Sequence, residues 1–259
     1  MITIAITNQK GGVGKTTIAF NFVQILTRKN GVRVLAIDND PQGNLTSSWL
    51  ENPNEMKGDI LNAYEGKSLE PERVKHQINL LGANIKLASV AERDFDVIFR
   101  LKESVDKLQG DLDAGGYDYV IIDCLPSFGH LHLAALVAAN YVLIPVKPAP
   151  YALAGLKDLF ETIKRARKYF NPNLKILGII INQVDGRKLV MERELEEALR
   201  EKYGKLVFKN KISKRIKVEE SPAFRKPITE YHPKGPAAKE FKALAKEILK
   251  RLNESKTIG

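Results

Sequence analysis

Short apolar segments alternate along the chain with longer segments in which apolar residues recur every three or four positions. The short segments are rich in isoleucine and valine and are apolar on both sides, which is typical of strands covered on both faces of a sheet. We predict strands at Ile2–Thr7, Val32–Ile37, Ile85–Ala88, Tyr119–Ile122, Tyr141–Pro145 and Leu174–Ile181.

The longer segments have the periodicity of helices that bury one face. Strands alternating with such helices predict an α/β fold, with a doubly wound, mostly parallel sheet flanked by helices. No repeat or long linker interrupts the pattern, so we expect residues 1–259 to form one domain that closes with a basic segment and a helix at about 201–252. The predicted helices are Lys15–Lys29, Glu92–Leu108, Leu131–Ala139, Gly155–Tyr169, Val190–Tyr203 and Pro236–Leu252.

Composition narrows the class of protein. Of the 259 residues 44% are hydrophobic and 28% are charged, as in an ordinary globular protein. No run of about 18 apolar residues predicts a membrane span, and the N-terminus lacks the features of a secretion signal. The single cysteine, Cys124, excludes an intramolecular disulfide. We therefore expect a cytoplasmic protein.

Positive charge is concentrated near the C-terminus. The net charge is +10, and from Glu201 onward sixteen Lys and Arg residues face seven Glu residues. Such a basic region favours a polyanionic partner, either nucleic acid or an anionic membrane surface. A well-solvated lysine-rich surface, common in proteins from hot environments, is the alternative.

A glycine-rich loop lies between the first predicted strand and the first predicted helix. Its glycines let the backbone turn sharply and point successive N–H groups inward, which makes a nest for phosphate oxygens. The following helix adds its N-terminal dipole. Lys15 is placed to reach the β- and γ-phosphates, and the Thr16 hydroxyl to ligate Mg²⁺, so the segment predicts Mg-ATP binding. The expected nucleotide-binding residues here are Lys10, Gly11, Gly12, Val13, Gly14, Lys15, Thr16 and Thr17.

Two acidic residues follow the second predicted strand. Active sites of open α/β sheets lie at the carboxyl ends of the strands. Asp40 is therefore the candidate to position and polarise an attacking water, whereas Asp38 is expected to brace the Mg²⁺ shell. Pro41 and Gly43 are expected to fix the turn that holds the carboxylate of Asp40.

A third acidic residue, Asp123, ends an apolar strand as a Walker B carboxylate does, and it is expected to hold Mg²⁺ directly or through water. The following segment Pro126–Gly129 is expected to sense the γ-phosphate. We expect His130 and His132 to be surface residues or residues that flank this loop, because two histidines without a third partner make a poor zinc site. We interpret Cys124 as a packing residue.

The loop begins with Lys10, and Gln9 stands where the general P-loop has glycine. This segment resembles the deviant Walker A motif of the ParA/MinD ATPases, a SIMIBI-like group of P-loop NTPases. The stretch from Asp38 is similar to the DxDPQGN motif of the family. The segment from Asp123 is similar to its DxPP motif, although Leu125 precedes the proline.

The resemblance implies roles for two further groups. Lys10 would stabilise phosphate charge across a dimer interface, as an arginine finger does; the alternative is a solvated loop lysine. Asn182, at the end of a predicted strand, would hydrogen-bond an adenine edge; the alternative is a turn residue at a strand end.

The C-terminal third resembles the chromosomal Soj/ParA pattern, in which a basic turn precedes a Glu-Ala-Pro-Ser-type segment. Ser213 stands where proline is usual in this pattern. Glu220–Ala223 occupies the position of the Glu-Ala-Pro-Ser-type segment. The resemblance implies a slow ATPase that forms a homodimer with ATP, binds double-stranded DNA without reading its sequence, and is stimulated by a ParB-like centromere-binding protein during plasmid or chromosome partition. Lysine and arginine that neutralise phosphates give affinity of this kind. The expected DNA-binding residues of this nucleoid-associated protein are Lys214, Arg215, Lys217, Arg225 and Lys226.

Three other interpretations fit parts of the sequence. A MinD-like membrane ATPase for division-site placement needs a C-terminal amphipathic helix that faces lipid, but this chain ends in polar residues, so we expect no membrane binding. A metal-cluster carrier of the nitrogenase-iron-protein kind needs more cysteines than Cys124. A ParA-like ATPase that positions another cytoplasmic cargo would have the same core.

Overall fold

A central sheet brings the carboxyl ends of its parallel strands together at one edge. The computed structural model describes residues 1–28, 31–110, 116–185 and 190–257. Within them, the sheet has the order β3-β4-β2-β5-β1-β6-β7, and all neighbouring strands are parallel except β3 and β4. This confirms the predicted α/β fold with a mostly parallel sheet. The strands are β1 (Ile2–Ile6), β2 (Val34–Asn39), β3 (Glu72–Lys75), β4 (Ile78–Leu81), β5 (Tyr119–Cys124), β6 (Tyr141–Val146) and β7 (Lys175–Ile181).

Helices cover both faces of the sheet. Short 3₁₀ helices join several of the elements, at Pro53–Glu55, Ile85–Glu92, Phe95–Phe99, Gly204–Leu206 and Ser221–Phe224. The α-helices of the described residues are α1 (Lys15–Leu26), α2 (Asn44–Trp49), α3 (Leu61–Tyr64), α4 (Arg100–Gly110), α5 (His130–Ala138), α6 (Ala152–Tyr169), α7 (Val190–Tyr203), α8 (Ile216–Glu220), α9 (Ile228–Tyr231) and α10 (Pro236–Thr257).

One predicted strand is wrong. Ile85–Ala88 lies in a 3₁₀ helix, where the Asn84 side chain accepts a hydrogen bond from the backbone N–H of Lys86 at 2.9 Å and caps the turn. Leu87 and Val90, three residues apart, point into the core, which is the spacing of a 3₁₀ turn. The strand beside β2 is instead β4, and the antiparallel edge strand β3 was not predicted.

Several predicted boundaries shift. Helix α1 ends at Leu26, and its predicted last residue, Lys29, lies outside the described residues. The helix predicted at Glu92–Leu108 divides into a 3₁₀ turn followed by α4, and α6 begins three residues earlier than predicted. The short helix α2, which follows the acidic turn after β2, was not predicted.

Successive side chains along each strand point to opposite faces of the sheet, so the hydrophobic core forms two layers. On β1, Ile4 and Ile6 face the layer that contains α1 and α10, whereas Ala5 faces the layer that contains α4, α5 and α6. Burying large side chains on both faces is the main stabilising contribution, worth about 1.5–3 kcal/mol for each fully buried one. Among the described residues, no helix has both the length and the apolar character needed to cross a membrane. The predicted stripe of α10 is buried in the core: Phe241, Leu244, Ala245, Ile248 and Leu252.

Candidate nucleotide-binding site

The glycine-rich loop joins β1 to α1 and has the predicted sharp turns. Gly12 and Gly14 have φ values of 71° and 87°, in the left-handed region that favours glycine. Gly14 is the residue that precedes α1. A Cβ atom on Gly14 would also lie 2.2 Å from Nδ2 of Asn182, so this position requires glycine for two independent reasons.

Two amides at the end of β7 hold the loop. Asn182 Nδ2 donates to the carbonyl of Val13 at 2.7 Å, and Gln183 Nε2 donates to the carbonyl of Gly12 at 2.9 Å. Asn182 is buried behind the loop, whereas Gln183 lies on the wall of the adjacent cleft. In this arrangement the Asn182 amide supports the loop, and its adenine contact stays a prediction. Sequence reasoning missed Gln183.

A cleft of about 530 Å³ opens above the loop, which is a suitable size for a small-molecule ligand. Most of the residues predicted to bind nucleotide lie on its wall, and Val13 is buried beneath them. The cleft is lined by Gly11, Gly12, Gly14, Lys15, Thr16, Thr17, Asp40, Asn44, Ser47, Ser48, Pro126, Gln183, Pro222 and Ala223.

The two loop lysines have different surroundings. Lys15 is buried to 7% exposure, and its ammonium donates to the carbonyl of Lys10 at 3.4 Å. Burial lowers the pKa of Lys15, and the nearby carboxylates of Asp123 and Asp40 oppose that shift. Lys10 is exposed outside the cleft, where its ammonium donates to the carbonyl of Pro150 at 3.3 Å.

The two carboxylates at the carboxyl end of β2 differ in their surroundings. Asp40 lines the cleft, and its carboxylate accepts from the backbone N–H of Gln42 at 3.0 Å. Asp38 is fully buried and accepts from the backbone N–H and hydroxyl of Thr46 at 2.8 and 2.7 Å. Burial raises the pKa of Asp38 to about 6, and the Thr46 hydrogen bonds oppose that shift. Asp38 is therefore placed to orient the acidic turn from behind.

Asp123 is a buried carboxylate at the edge of the loop. It lies beside Asp38 in the register of β5 and β2, and neither of its oxygens forms a hydrogen bond of good geometry with another described residue. Burial, and secondarily the charge of Asp38, raise the pKa of Asp123 well above its ordinary value, while Thr16 and Lys15 oppose the rise. An orphaned carboxylate near a threonine hydroxyl fits Mg²⁺, which takes few protein ligands and keeps waters and phosphate oxygens around it.

Thr16, Asp38 and Asp123 remain the predicted residues for that ion. No group of three or more His, Cys, Asp or Glu side chains in the described part of the chain has the arrangement of a metal site, so a dedicated protein cage is not seen there. The hydroxyl and carboxylate oxygens of this site match the oxygen preference of Mg²⁺, and the remaining coordination would come from the nucleotide and water.

The two histidines differ from each other. His130 begins α5, directly after the loop Pro126–Gly129, and it is partly exposed, as predicted for a residue that flanks this loop. His132 is 1% exposed, and its Nε2 lies 2.8 Å from the Thr7 hydroxyl, so a surface position is wrong for it. Burial, and secondarily Lys15, lower the pKa of His132 to about 4. Cys124 is buried and free, and burial raises its pKa.

Several cleft residues escaped prediction. Asn44, Ser47 and Ser48 lie on α2, a helix too short for a hydrophobic period to reveal. Pro222 and Ala223 reach the cleft from a segment far away in the chain, and the Glu-Ala-Pro-Ser-type pattern is the sequence signal by which they could have been found.

The five predicted DNA-binding residues lie between β7 and α10, and three of them form ion pairs. Arg215 pairs with Glu240 at 2.9 Å, Lys217 with Glu220 at 2.9 Å, and Arg225 with Glu51 at 3.3 Å. Within the described residues, the other two are exposed cations without an ion pair: Lys214 and Lys226.

Comparison with known proteins identifies the family. A family described as an AAA domain matches residues 1–176. The chain is 36% identical to the chromosome-partitioning ATPase Soj of Thermus thermophilus over 97% of each chain. It is 37% identical to the chromosome partitioning protein ParA of Myxococcus xanthus, over 96% of this chain and 88% of that one. The chain belongs to the ParA/Soj family. It is an ATPase whose cofactors are ATP and Mg²⁺.

Two solved structures show that the fold of this ParA/Soj protein is shared by other proteins. A plasmid partition protein from Borrelia burgdorferi, 27% identical, superposes with a TM-score of 0.77 over 96% of this chain and 98% of that one. A cobyrinic acid a,c-diamide synthase from Mycobacterium smegmatis with bound ADP and magnesium, 30% identical, gives 0.81 over 98% and 96%. The second structure shows a nucleotide and magnesium in a closely similar fold.

Proposed function

We propose that this ParA/Soj ATPase is the switch of a DNA partition system in the cytoplasm. With ATP it forms a sandwich dimer that binds double-stranded DNA of the nucleoid without sequence preference. A ParB-like centromere-binding protein stimulates ATP hydrolysis and thereby releases the dimer from the DNA. The names of its relatives, which are chromosome-partitioning and sporulation Soj and ParA proteins, support this role.

The position of Lys10 is the main observation that supports an ATP-dependent dimer. Its side chain lies outside its own cleft, and its ammonium donates an exposed hydrogen bond to the carbonyl of Pro150, which is weak in water. Its ammonium is therefore free to reach the nucleotide of a second copy. In the cleft, Lys15 would stabilise phosphate charge and Asp40 would hold the attacking water, so catalysis rests on positioning and electrostatics.

The basic segment before α10 supports DNA as the partner. Lys214 and Lys226 are exposed, and the ion pairs of Lys217 and Arg225 are exposed as well, whereas the pair of Arg215 with Glu240 is partly buried. Exposed pairs contribute about 0–1 kcal/mol, so phosphates of DNA compete with these carboxylates at little cost. Two copies of the segment in a dimer double the number of phosphate contacts, and affinity rises steeply with that number.

Retention of non-specific duplex DNA tests this proposal. The wild type and Asp40→Ala are compared at moderate salt with ATP, ADP or no nucleotide. We expect binding with ATP alone, and persistent binding in Asp40→Ala because hydrolysis no longer ends that state. A wild type that hydrolyses ATP but binds DNA in no nucleotide state would refute partition and leave the ATPase assignment in place.

A charge-matched pair of variants locates the surface. Lys214→Glu with Lys226→Glu should abolish DNA retention and leave ATP affinity within about threefold, because neither residue lines the cleft. Lys157→Glu with Lys164→Glu makes the same change in net charge on exposed positions of α6. Equal losses of DNA binding in both pairs would show that only the net charge matters.

The burial of α10 argues against a membrane as the matrix. A membrane-binding helix must turn its apolar face to lipid, whereas Phe241, Ile248 and Leu252 of α10 are at most 2% exposed. We therefore expect no co-sedimentation with anionic liposomes in any nucleotide state, and ATP-dependent co-sedimentation would overturn this expectation.

A further inference from the structure

The first turn of α5 is tied to the ends of two strands by buried polar contacts. The Nε2 atom of His132 lies 2.8 Å from the hydroxyl of Thr7, the residue that follows β1 and leads into the glycine-rich loop. The amide of Asn39 donates to the carbonyl of Leu131 at 2.8 Å. Thr7, Asn39 and His132 are at most 1% exposed.

The position of Asn39 makes its contact relevant to the chemistry. Asn39 lies between Asp38 and Asp40, the two carboxylates of the acidic turn. Its side chain points away from the cleft, and its Oδ1 accepts from the hydroxyl of Tyr64 at 2.7 Å. The side chain is thus fixed from two sides, by α3 and by α5.

Helix α5 also connects to the loop that follows Asp123. Pro126 of that loop lines the cleft, and the ring of Phe128 packs on His132 with centroids 5.7 Å apart. A movement of this loop would therefore displace α5, and the displacement of α5 would shift the side chains of Thr7 and Asn39.

We infer that Asn39, Tyr64, Thr7 and His132 are positioning residues for ATP hydrolysis, which set the acidic turn and the glycine-rich loop in register with the loop after Asp123. None of the four lines the cleft, so they act through Asp40 and the loop and make no contact with nucleotide. A misplaced catalytic group slows the chemical step far more than it weakens binding. The inference rests on the proposed role of Asp40.

The experiment separates kcat from ATP affinity. Asn39→Leu and His132→Leu are measured for single-turnover hydrolysis, for the Kd of a fluorescent ATP analogue and for Tm. We expect kcat to fall at least about tenfold with Kd changed less than about threefold. His132→Gln, whose amide is able to reach the Thr7 hydroxyl, should restore kcat to within about threefold of the wild type.

The matched control removes an equivalent contact at the other end of the same helix. Asn171 Nδ2 lies 2.9, 3.1 and 2.7 Å from the carbonyl oxygens of Leu136, Val137 and Ala139, which share its two N–H donors. Asn171→Leu should lower Tm by several degrees, since it leaves buried carbonyls unpaired, but keep kcat within about twofold.

Equal kcat per folded molecule in the Asn39, His132 and Asn171 variants would overturn the inference. If Asn39→Leu does not fold, Tyr64→Phe and Thr7→Val delete single hydroxyl groups and should each lower kcat about threefold; unchanged kcat in both would overturn it as well. Asp40→Ala distinguishes the two failures, because normal hydrolysis in that variant would refute the proposed catalytic role itself.

Discussion

Three glycines of the phosphate-binding loop differ in what a methyl group would meet, and this makes them a graded test of the site. A Cβ on Gly11 has no atom within 4 Å, and its φ is outside the left-handed range. Gly12 is equally open but has φ 71°. Gly14 has φ 87° and would place its Cβ against the Asn182 amide. Without nucleotide, alanine should therefore have three different effects on the free energy of unfolding.

The expected magnitudes follow from those geometries. Gly11→Ala should leave the free energy of unfolding unchanged or raise it by up to about 1 kcal/mol. Gly12→Ala should lower it by about 1–2 kcal/mol through backbone strain alone. Gly14→Ala adds to that strain the loss of the Asn182 hydrogen bond to Val13, a further 1–3 kcal/mol or about 2–5 kcal/mol in total.

A double-mutant cycle isolates the steric contact. Urea unfolding is followed by far-UV circular dichroism and by the fluorescence of Trp49, the single tryptophan. Because Gly14→Ala already displaces Asn182, adding Asn182→Ala should cost little more, and the coupling should be about 1–3 kcal/mol. Gly12→Ala and Asn182→Ala should be additive. Additive effects at Gly14 as well would refute the packing of Asn182 against the loop.

Three further predictions concern the charged and titratable groups. Lys15→Ala should abolish Mg-ATP binding without lowering the stability of the nucleotide-free protein, since it removes a desolvated ammonium; retained tight binding in equilibrium dialysis would contradict this. Lys10→Ala should bind ATP with a Kd within about threefold of the wild type yet stay monomeric in light scattering, and a normal ATP dimer would exclude the role in trans. His132 should make the protein acid-sensitive: its folded pKa of about 4 lies below the unfolded 6.5, so stability is lost as the pH falls from 6.5 towards 4, by at most about 3 kcal/mol. His132→Gln should lose less stability over this range, and identical pH profiles would refute the assignment.

The parts of the site that the sequence predicted are those set by local chemistry. The glycines after β1 dictate the turn because they adopt positive φ, and Asp123 ends an apolar strand whose neighbours are fixed by parallel pairing. The fold class was also predicted from local sequence, because parallel strands that are buried on both faces consist of continuous apolar residues.

What escaped prediction depends on contacts between distant residues. Asn182 meets Val13 from 169 positions away, and no local pattern encodes that contact. The ion pairs of Arg215 and Arg225 depend on glutamates of α10 and of the segment after α2. The 3₁₀ helix at Ile85–Glu92 was mistaken for a strand because a short apolar run fits either period.

The support that β7 gives to the glycine-rich loop has a kinetic consequence. Gly12 and Val13 are held by the amides of Gln183 and Asn182, so contacts within the protein itself fix the shape of the loop. A nucleotide then meets a preformed receptor, and its capture involves little reordering of the chain. In rapid mixing, the observed rate should rise linearly with nucleotide concentration, with no plateau set by loop folding. Timing in this ATPase would then be governed by the steps that follow capture.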